Sequence, residues 1–400
     1  MRTFRLALLP LAMAAACAHA EETTSLADAF TGGKINIDSR IRYEGVDDDA
    51  ITRDASAVTL RNRLGYKTAP WHGFTLFAEL EDVRALDESY NSTGNGRTQY
   101  PVVADPEGSE WNQAGIGWDS GKGTQFIVGR QRILLDNQRF IGNVGWRQNE
   151  QTFDAFTLNQ KIGSSAMFRY SFIDDVHRVF GNEHPNPLAA EYNVAGHLLN
   201  ASQTYASGTL TAYGYLVDNA DLPLTSNKTL GVRFAGAHPL SEPWKLVYAL
   251  EFAQQRDWRN GADIIDADYY LTEFGASRGA YTGKFGREQL GGDGHYGFQT
   301  PFATLHAFNG WADKFLVTPV NGLVDSYVAF NGPIGKLQWV ASYHQYDADH
   351  GHADYGSEWD ASLSYAFLQR FTALAKFASY DADGYSTDAD KIWLSLEYKY

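Results

Sequence analysis

The most regular feature of this sequence is an alternation of apolar and polar residues that continues for ten or more positions. Near the end of the chain, Ile392, Leu394 and Leu396 occupy one parity, whereas Ser395 and Glu397 occupy the other. A period of two predicts β-strands with one apolar and one polar face. The pattern recurs and predicts about eighteen strands, near 34–46, 54–68, 71–84, 109–119, 123–134, 149–162, 164–176, 191–206, 207–218, 226–239, 243–258, 264–278, 279–291, 322–331, 335–347, 356–368, 369–381 and 389–400.

The lengths of the segments and of their connections distinguish between two all-β folds. Soluble strands average roughly 5 to 6 residues, whereas these segments are long enough to cross a bilayer at a tilt. Short links such as 120–123 and 162–164 alternate with longer polar links such as 85–108, 177–190 and 292–321. A soluble sandwich or propeller is the alternative. The pattern favours a transmembrane antiparallel up-and-down β-barrel with short periplasmic turns and long outer loops.

Composition supports a membrane barrel and argues against other classes. The chain has 400 residues, a net charge of −15 and 14% aromatic residues. An acidic chain lacks the basic footprint of a nucleic-acid-binding protein. The Trp, Tyr and Phe residues at the rims of the apolar faces are typical of an aromatic girdle at the membrane interface.

The first twenty residues have the anatomy of a secretory signal. Arg2 and Arg5 precede an apolar run too short to span a bilayer, and cleavage is predicted between Ala20 and Glu21. The alternative is a lipoprotein acylated on Cys17, the only cysteine of the chain. We therefore predict a cleaved signal peptide (1–20), a periplasmic N-terminal segment (21–33) and a barrel (34–400) in the outer membrane of a Gram-negative bacterium.

Two sequence blocks carry a family resemblance. The first is VGRQRILLDNQRFIG at 128–142, continued by WRQNEQTFD at 146–154, and the second comprises GFQTP at 297–301 and LHAFNGWADKF at 305–315. Both resemble the alginate-export family of outer-membrane porins, and the resemblance extends over essentially the whole mature chain. It implies a monomeric barrel of eighteen strands. It does not fix the substrate, since many members do not export alginate.

Arginine pairs mark the candidate lining of the pore. Arg40 with Arg42, and Arg61 with Arg63, lie opposite the apolar faces of their strands and so point into the lumen. These cations could form a ladder that guides anionic or hydroxyl-rich solutes, or they could pair with acids on neighbouring strands. The opposing wall acids placed by parity are Glu44, Glu79, Glu81 and Glu251, so cations are predicted to outnumber acids at the wall.

The parity of a third pair is less clear, because Arg130 and Arg132 share it with Phe126 and Val128. These two arginines and Lys284 are nevertheless assigned to the lumen. The predicted pore-lining residues are Arg40, Arg42, Arg61, Arg63, Glu79, Glu81, Arg130, Arg132, Arg169, Arg233 and Lys284.

No motif points to catalysis or to a bound metal. The sequence lacks the Gly-x-Ser-x-Gly and His-Glu-x-x-His patterns. Acidic clusters at 47–49, 347–354 and 381–390 fall in predicted outer loops and could hold Ca²⁺, but none has EF-hand spacing. We predict neither an enzyme nor a cofactor, and interpret the clusters as loops beside a divalent-bridged lipopolysaccharide surface.

The predicted function is passive passage of small hydrophilic, anionic solutes or saccharides such as uronates through an outer-membrane porin. One alternative is an occluded barrel, plugged by 85–108 and 292–321, that serves as a surface binding or adhesion scaffold. The other is a polysaccharide-export component that depends on periplasmic partners. The expected partners are membrane lipid, lipopolysaccharide, the solute and the barrel-assembly machinery, which would read the apolar and aromatic alternation ending at Tyr400.

Overall fold

Residues 25–400, which the computed structural model describes, form one antiparallel sheet of eighteen strands that closes on itself. Each strand pairs with its neighbours in sequence, and β1 pairs with both β2 and β18. Closure leaves no strand edge along the barrel. The strands are β1 Lys34–Asp48, β2 Ala55–Lys67, β3 Phe74–Ser89, β4 Gly108–Asp119, β5 Thr124–Gln131, β6 Thr152–Ile162, β7 Ala166–His177, β8 Glu191–Tyr205, β9 Gly208–Asn219, β10 Asn227–Ser241, β11 Trp244–Asp257, β12 Asp266–Arg278, β13 Tyr281–Leu290, β14 Leu323–Ile334, β15 Leu337–Asp347, β16 Asp354–Phe367, β17 Phe371–Ala382 and β18 Ala389–Lys399.

The predicted fold class and strand number are confirmed, and the boundaries differ by a few residues. The largest difference is at β3, which extends to Ser89 instead of ending near 84. In the described part of the chain, helical structure is limited to α1 (Leu26–Thr31), α2 (Pro187–Ala190) and two single 3-10 turns. Among residues 25–400, no helix is long and apolar enough to cross a membrane. The predicted signal peptide and its cleavage site lie outside the described residues.

The two ends of the barrel differ in the length of their connections, as the sequence predicts. One end carries short turns such as 206–207 and 279–280. There α1 packs against the turn after β2, where the Ala69 N–H donates to the Ala29 carbonyl at 2.9 Å. The other end carries nine longer loops: L1 (49–54), L2 (90–107), L3 (132–151), L4 (178–190), L5 (220–226), L6 (258–265), L7 (291–322), L8 (348–353) and L9 (383–388).

Loops L3 and L7 fold into the barrel and pack against each other. Ile141 of L3 pairs in parallel with Phe302 of L7, and the Gly142 N–H donates to the Phe302 carbonyl at 2.8 Å. Phe140 enters an aromatic cluster on the inner wall, with ring centroids 5.3 Å from both Tyr213 and Tyr269. Of the two loops expected to plug an occluded barrel, L7 enters the lumen, and L2 contributes several buried side chains, among them Val103 and Asp105. The larger part played by L3 was not predicted.

Candidate functional site

On the inner wall of β1, one guanidinium makes four hydrogen bonds to L3. Arg40 donates to the carbonyls of Gly145 at 3.3 Å, Trp146 at 2.9 Å and Arg147 at 2.6 Å, and to the Gln148 side-chain oxygen at 2.9 Å. All four acceptors are neutral and belong to L3. Arg40 is therefore buried between the strand and the loop, and its hydrogen bonds fix L3 to the wall.

The next arginine on the same strand joins three chain segments. Arg42 pairs with Asp105 of L2 and lies 3.4 Å from Glu44. Arg147 of L3 lies 3.1 Å from Glu44 and 2.9 Å from Asp313 of L7. Burial acts to raise the pKa of Asp105, but Arg42 and Arg147 hold that pKa below its usual value. The cluster therefore binds L2, L3 and L7 to the wall through buried ion pairs.

A second buried cluster brings together four of the predicted residues. Arg63 pairs with Glu81 and lies 3.6 Å from Glu150 of L3. Arg132 contacts Glu79 at 2.5 Å and pairs with Glu150. Burial opposes ionisation of Glu150, yet Arg63 and Arg132 lower its pKa to about 2. The charges of Arg63 and Arg132 are therefore largely neutralised by the acids around them.

The remaining arginine of the β1–β2 wall follows the same pattern. Arg61 pairs with Asp38 and lies 3.4 Å from Glu397. Its side chain is only 1% exposed. The predicted inward orientation of these arginines agrees with their positions, whereas a ladder of unpaired cations does not describe this wall.

The lumenal assignment of Arg130 was wrong. In β5, Arg130 shares a face with Val128, a side chain that is 53% exposed on the outer wall. Arg130 donates to Asp154 at 2.9 Å and to the Trp111 carbonyl at 3.2 Å, while His177 lies 3.0 Å from Asp154. Strict alternation along the strand explains the outward direction. Arg132 points inward because the chain leaves the strand after Gln131.

A different environment surrounds the predicted cations of β7 and β10. Arg169 is opposite Asn200 in register, and Asn200 donates inward to Asp136 of L3 at 2.8 Å. Among residues 25–400, no carboxylate lies within ion-pair distance of Arg169. Arg233 lies 2.6 Å from Glu251. Burial raises the pKa of Asp136, which Asn200, Arg233 and Arg169 act to lower.

Lys284 lies farther round the wall and is partly open to the lumen. Its ammonium is 2.7 Å from Glu273, and the lysine side chain is 34% exposed. The inner wall therefore has one segment where cations are covered by loops and another where they are more accessible.

The predicted excess of wall cations was wrong, because parity places more acids inside than were counted. Glu358 and Asp360 share the polar face of β16, and Asp38 shares that of Arg40. That alternation was visible in the sequence and could have found them. Two lysines that face inward, Lys376 and Lys391, were also missed. The uncounted inward acids are Asp38, Glu273, Glu288, Asp325, Glu358, Asp360 and Glu397.

Within the described chain, no group of three or more His, Cys, Asp or Glu side chains could hold a metal ion. The inner surface therefore offers ion-pairing and hydrogen-bonding groups as its chemistry. Arg169, Arg233 and Lys284 on β7, β10 and β13 combine positive charge with partial exposure on this surface.

Comparison with known families supports the resemblance seen in the sequence. A family model described as alginate export matches residues 31–179, which includes the first of the two motif blocks. The second block lies outside this match, so the resemblance is confirmed for the first part of the chain and remains a prediction for the rest. The match agrees with the prediction of a transport barrel. A search of curated proteins finds no significant match.

Solved outer-membrane barrels share the fold at low sequence identity. OccAB2 of Acinetobacter baumannii has a TM-score of 0.75 and 16% identity, covering 93% of this chain and 99% of that chain. OpdK of Pseudomonas aeruginosa, solved with vanillate, has a TM-score of 0.72 and 13% identity, with the same coverage. OccK2 (OpdF) of the same organism has a TM-score of 0.71 and 14% identity, covering 93% and 98%. These similarities establish the fold of this chain.

Proposed function

We propose that this protein is an outer-membrane channel for the passive passage of small hydrophilic solutes, with a preference for anions. The observation that carries the preference is the environment of Arg169, an inward cation on β7 with no ion-pair partner among residues 25–400. Arg233 and Lys284 add partly exposed cations to the same lumen. A guanidinium in a narrow aqueous path lowers the barrier for a carboxylate and raises it for a cation.

The solute class that fits this lining best is a carboxylate that also carries hydroxyl groups. Partly exposed neutral donors and acceptors such as Asn159, opposite Arg169 in register, and Ser202 share the inner wall with Arg169. Such groups bind hydroxyls, while the arginines bind a carboxylate in bidentate geometry. Uronate-containing oligosaccharides meet both requirements, and the alginate-export match supports them. Vanillate, a carboxylate present in the OpdK structure, supports the broader class.

The direct test uses the purified protein in lipid bilayers and in liposomes. We expect discrete conductance steps in a planar bilayer, and liposomes that swell faster in glucuronate than in glucose of equal osmolarity. Arg169→Gln should reduce the glucuronate rate and leave the glucose rate unchanged, because only the charged solute meets the guanidinium. Equal wild-type rates for the two sugars would contradict the anion preference while leaving the channel itself intact.

A second candidate function is an occluded surface scaffold, and one observation favours it. Phe298 and Phe302 of L7 are almost fully buried against residues of L3 and of the inner wall, including the fully buried Phe153. Loops packed this tightly would pass few ions. Silence in the planar bilayer at every voltage and pH, from protein that shows heat-modifiable migration, would favour the scaffold over the channel.

A further inference from the structure

A lysine on β17 connects L3 and L7, the two loops that fold into the barrel. The Lys376 ammonium lies 3.7 Å from the ring centroid of Trp311 in L7 and 4.2 Å from that of Trp146 in L3. A third indole, Trp393 of β18, is 5.4 Å away. Cation–π contacts of this kind strengthen when the cation is withdrawn from water. Lys376 therefore draws L3, L7 and the barrel wall together.

The hydrogen bond of this lysine requires a neutral histidine. Lys376 Nζ lies 2.6 Å from His306 Nε2, and His306 Nδ1 lies 2.7 Å from Asp313. An ammonium can only donate, so Nε2 must be the accepting nitrogen and Nδ1 must carry the proton that goes to Asp313. The imidazole also stacks on Trp146, with ring centroids 4.5 Å apart.

Adding a proton to His306 would disrupt this arrangement. The proton has to attach to Nε2, where the Lys376 ammonium already donates. Two cations would then face each other with no acceptor between them, in a site where His306 is only 4% exposed. Like charges this close and this buried repel strongly.

Asp313 does not offset the added charge, because other cations share it. Arg147 of L3 lies 2.9 Å from Asp313, and Lys391 of β18 lies 3.4 Å away. Burial lowers the pKa of His306 to about 3. Asp313 acts to raise this pKa, whereas Lys376 acts to lower it further. Despite its own burial, the pKa of Asp313 is held well below its usual range by His306, Lys391 and Arg147.

More distant acids also face the lysine. Asp360 and Glu358 of β16 and Glu44 of β1 are its other acidic neighbours, although none lies within ion-pair distance of it among the described residues. The atom at which an added proton breaks the hydrogen bond is His306 Nε2, because it is the acceptor from Lys376.

We propose that His306 is a proton-operated latch: protonation at Nε2 expels Lys376 from its hydrogen bond, loosens L7 and L3 from the wall and increases flow through the lumen. The proposal rests on the channel function proposed above. His306 binds the proton far more weakly when the loops are docked than when they are free, because a free histidine titrates near 6.5. Acid therefore favours the undocked state, by about tenfold for each pH unit below 6.5 until the docked histidine itself titrates.

The test records conductance of the purified protein between pH 7.5 and pH 4.5. We expect the ratio of open to closed time to rise by up to about 100-fold over this range. His306→Gln keeps an acceptor for Lys376 and a donor for Asp313 but does not titrate, so its open time should stay constant. His184→Gln, a change at a half-buried histidine of L4 outside the Lys376 site, should respond to acid like the wild type.

Hydrogen exchange of peptides from L3 and L7 gives a second readout that needs no conductance. Corrected for intrinsic rates, exchange in both loops should accelerate at pH 4.5 in the wild type and not in His306→Gln. Absence of conductance at every pH would contradict the channel function alone. Loops that exchange equally at both pH values, or an acid response that persists in His306→Gln, would overturn the latch.

Discussion

Two parts of the inner wall carry the same residue type in opposite environments. On β1 and β2, Arg42 and Arg61 are each 1% exposed and are surrounded by carboxylates. On β7, Arg169 is half-buried and has no ion-pair partner among residues 25–400. The first group fixes loops to the wall, and the second is partly exposed to solvent.

This difference shows that the inward direction of a side chain does not determine whether its charge is paired. Alternation places all three arginines inside the barrel. Whether each is covered depends on loops that begin far away in the sequence. Gln148 of L3, for example, accepts from Arg40 across 108 residues. A buried, paired arginine contributes to specific docking of a loop, whereas an unpaired arginine contributes to selectivity.

The largest effect is expected where a covered arginine is removed. Arg42→Ala leaves the buried Asp105 and Glu44 with Arg147 as their remaining cation. Removing one partner from a buried ion pair costs about 3–5 kcal/mol. We expect a clear fall in the temperature at which the folded, heat-modifiable form is lost on gels. Arg84→Ala is the matched control, because its pair with Asp82 is exposed and is worth roughly 0–1 kcal/mol. A variant at Arg42 as heat-resistant as the control would remove the distinction between covered and open arginines.

A smaller effect is expected from crowding the tip of L7 against the wall. Gly310 has φ +81°, and a Cβ there would collide with the side chains of Glu358 and Tyr346. Gly310→Ala should cost roughly 1–3 kcal/mol of loop docking and accelerate hydrogen exchange in L7. Gly351→Ala tests strain alone, since its φ is +83° and nothing lies within 4 Å of its added Cβ. Equal exchange in the two variants would show that L7 is not held at this point.

The smallest effect is expected from mild acid at the Arg63–Glu150–Arg132 cluster. Because the pKa of Glu150 is lowered to about 2, its ion pairs are present above its usual pKa and are lost only as pH falls through about 2. In a His306→Gln background, exchange in the part of L3 around Glu150 should be unchanged between pH 7 and pH 4. Faster exchange near pH 4 would show that this carboxylate titrates normally and is not tightly paired.

Most of the fold could be predicted from the sequence, because closed barrels repeat one local rule. Alternation within each strand and the contrast between short turns and long loops are both local signals. The site was harder. The charge of Arg130 favours the lumen, whereas the parity it shares with Phe126 and Val128 favours the outer wall, where the structure places it. The contacts of Arg40 with L3, and of Lys376 with Trp311, could not be predicted, since no short-range pattern shows where a long loop returns.

The most direct test of the central claim, that an accessible arginine of β7 sets selectivity, is the reversal potential of the channel across a salt gradient. Arg169→Gln and Arg130→Gln remove the same charge, one from the lumen and one from the outer wall. We predict an anion-selective wild type, a shift toward cation selectivity in Arg169→Gln and no shift in Arg130→Gln. A cation-selective wild type, or the same potential in all three proteins, would contradict the account.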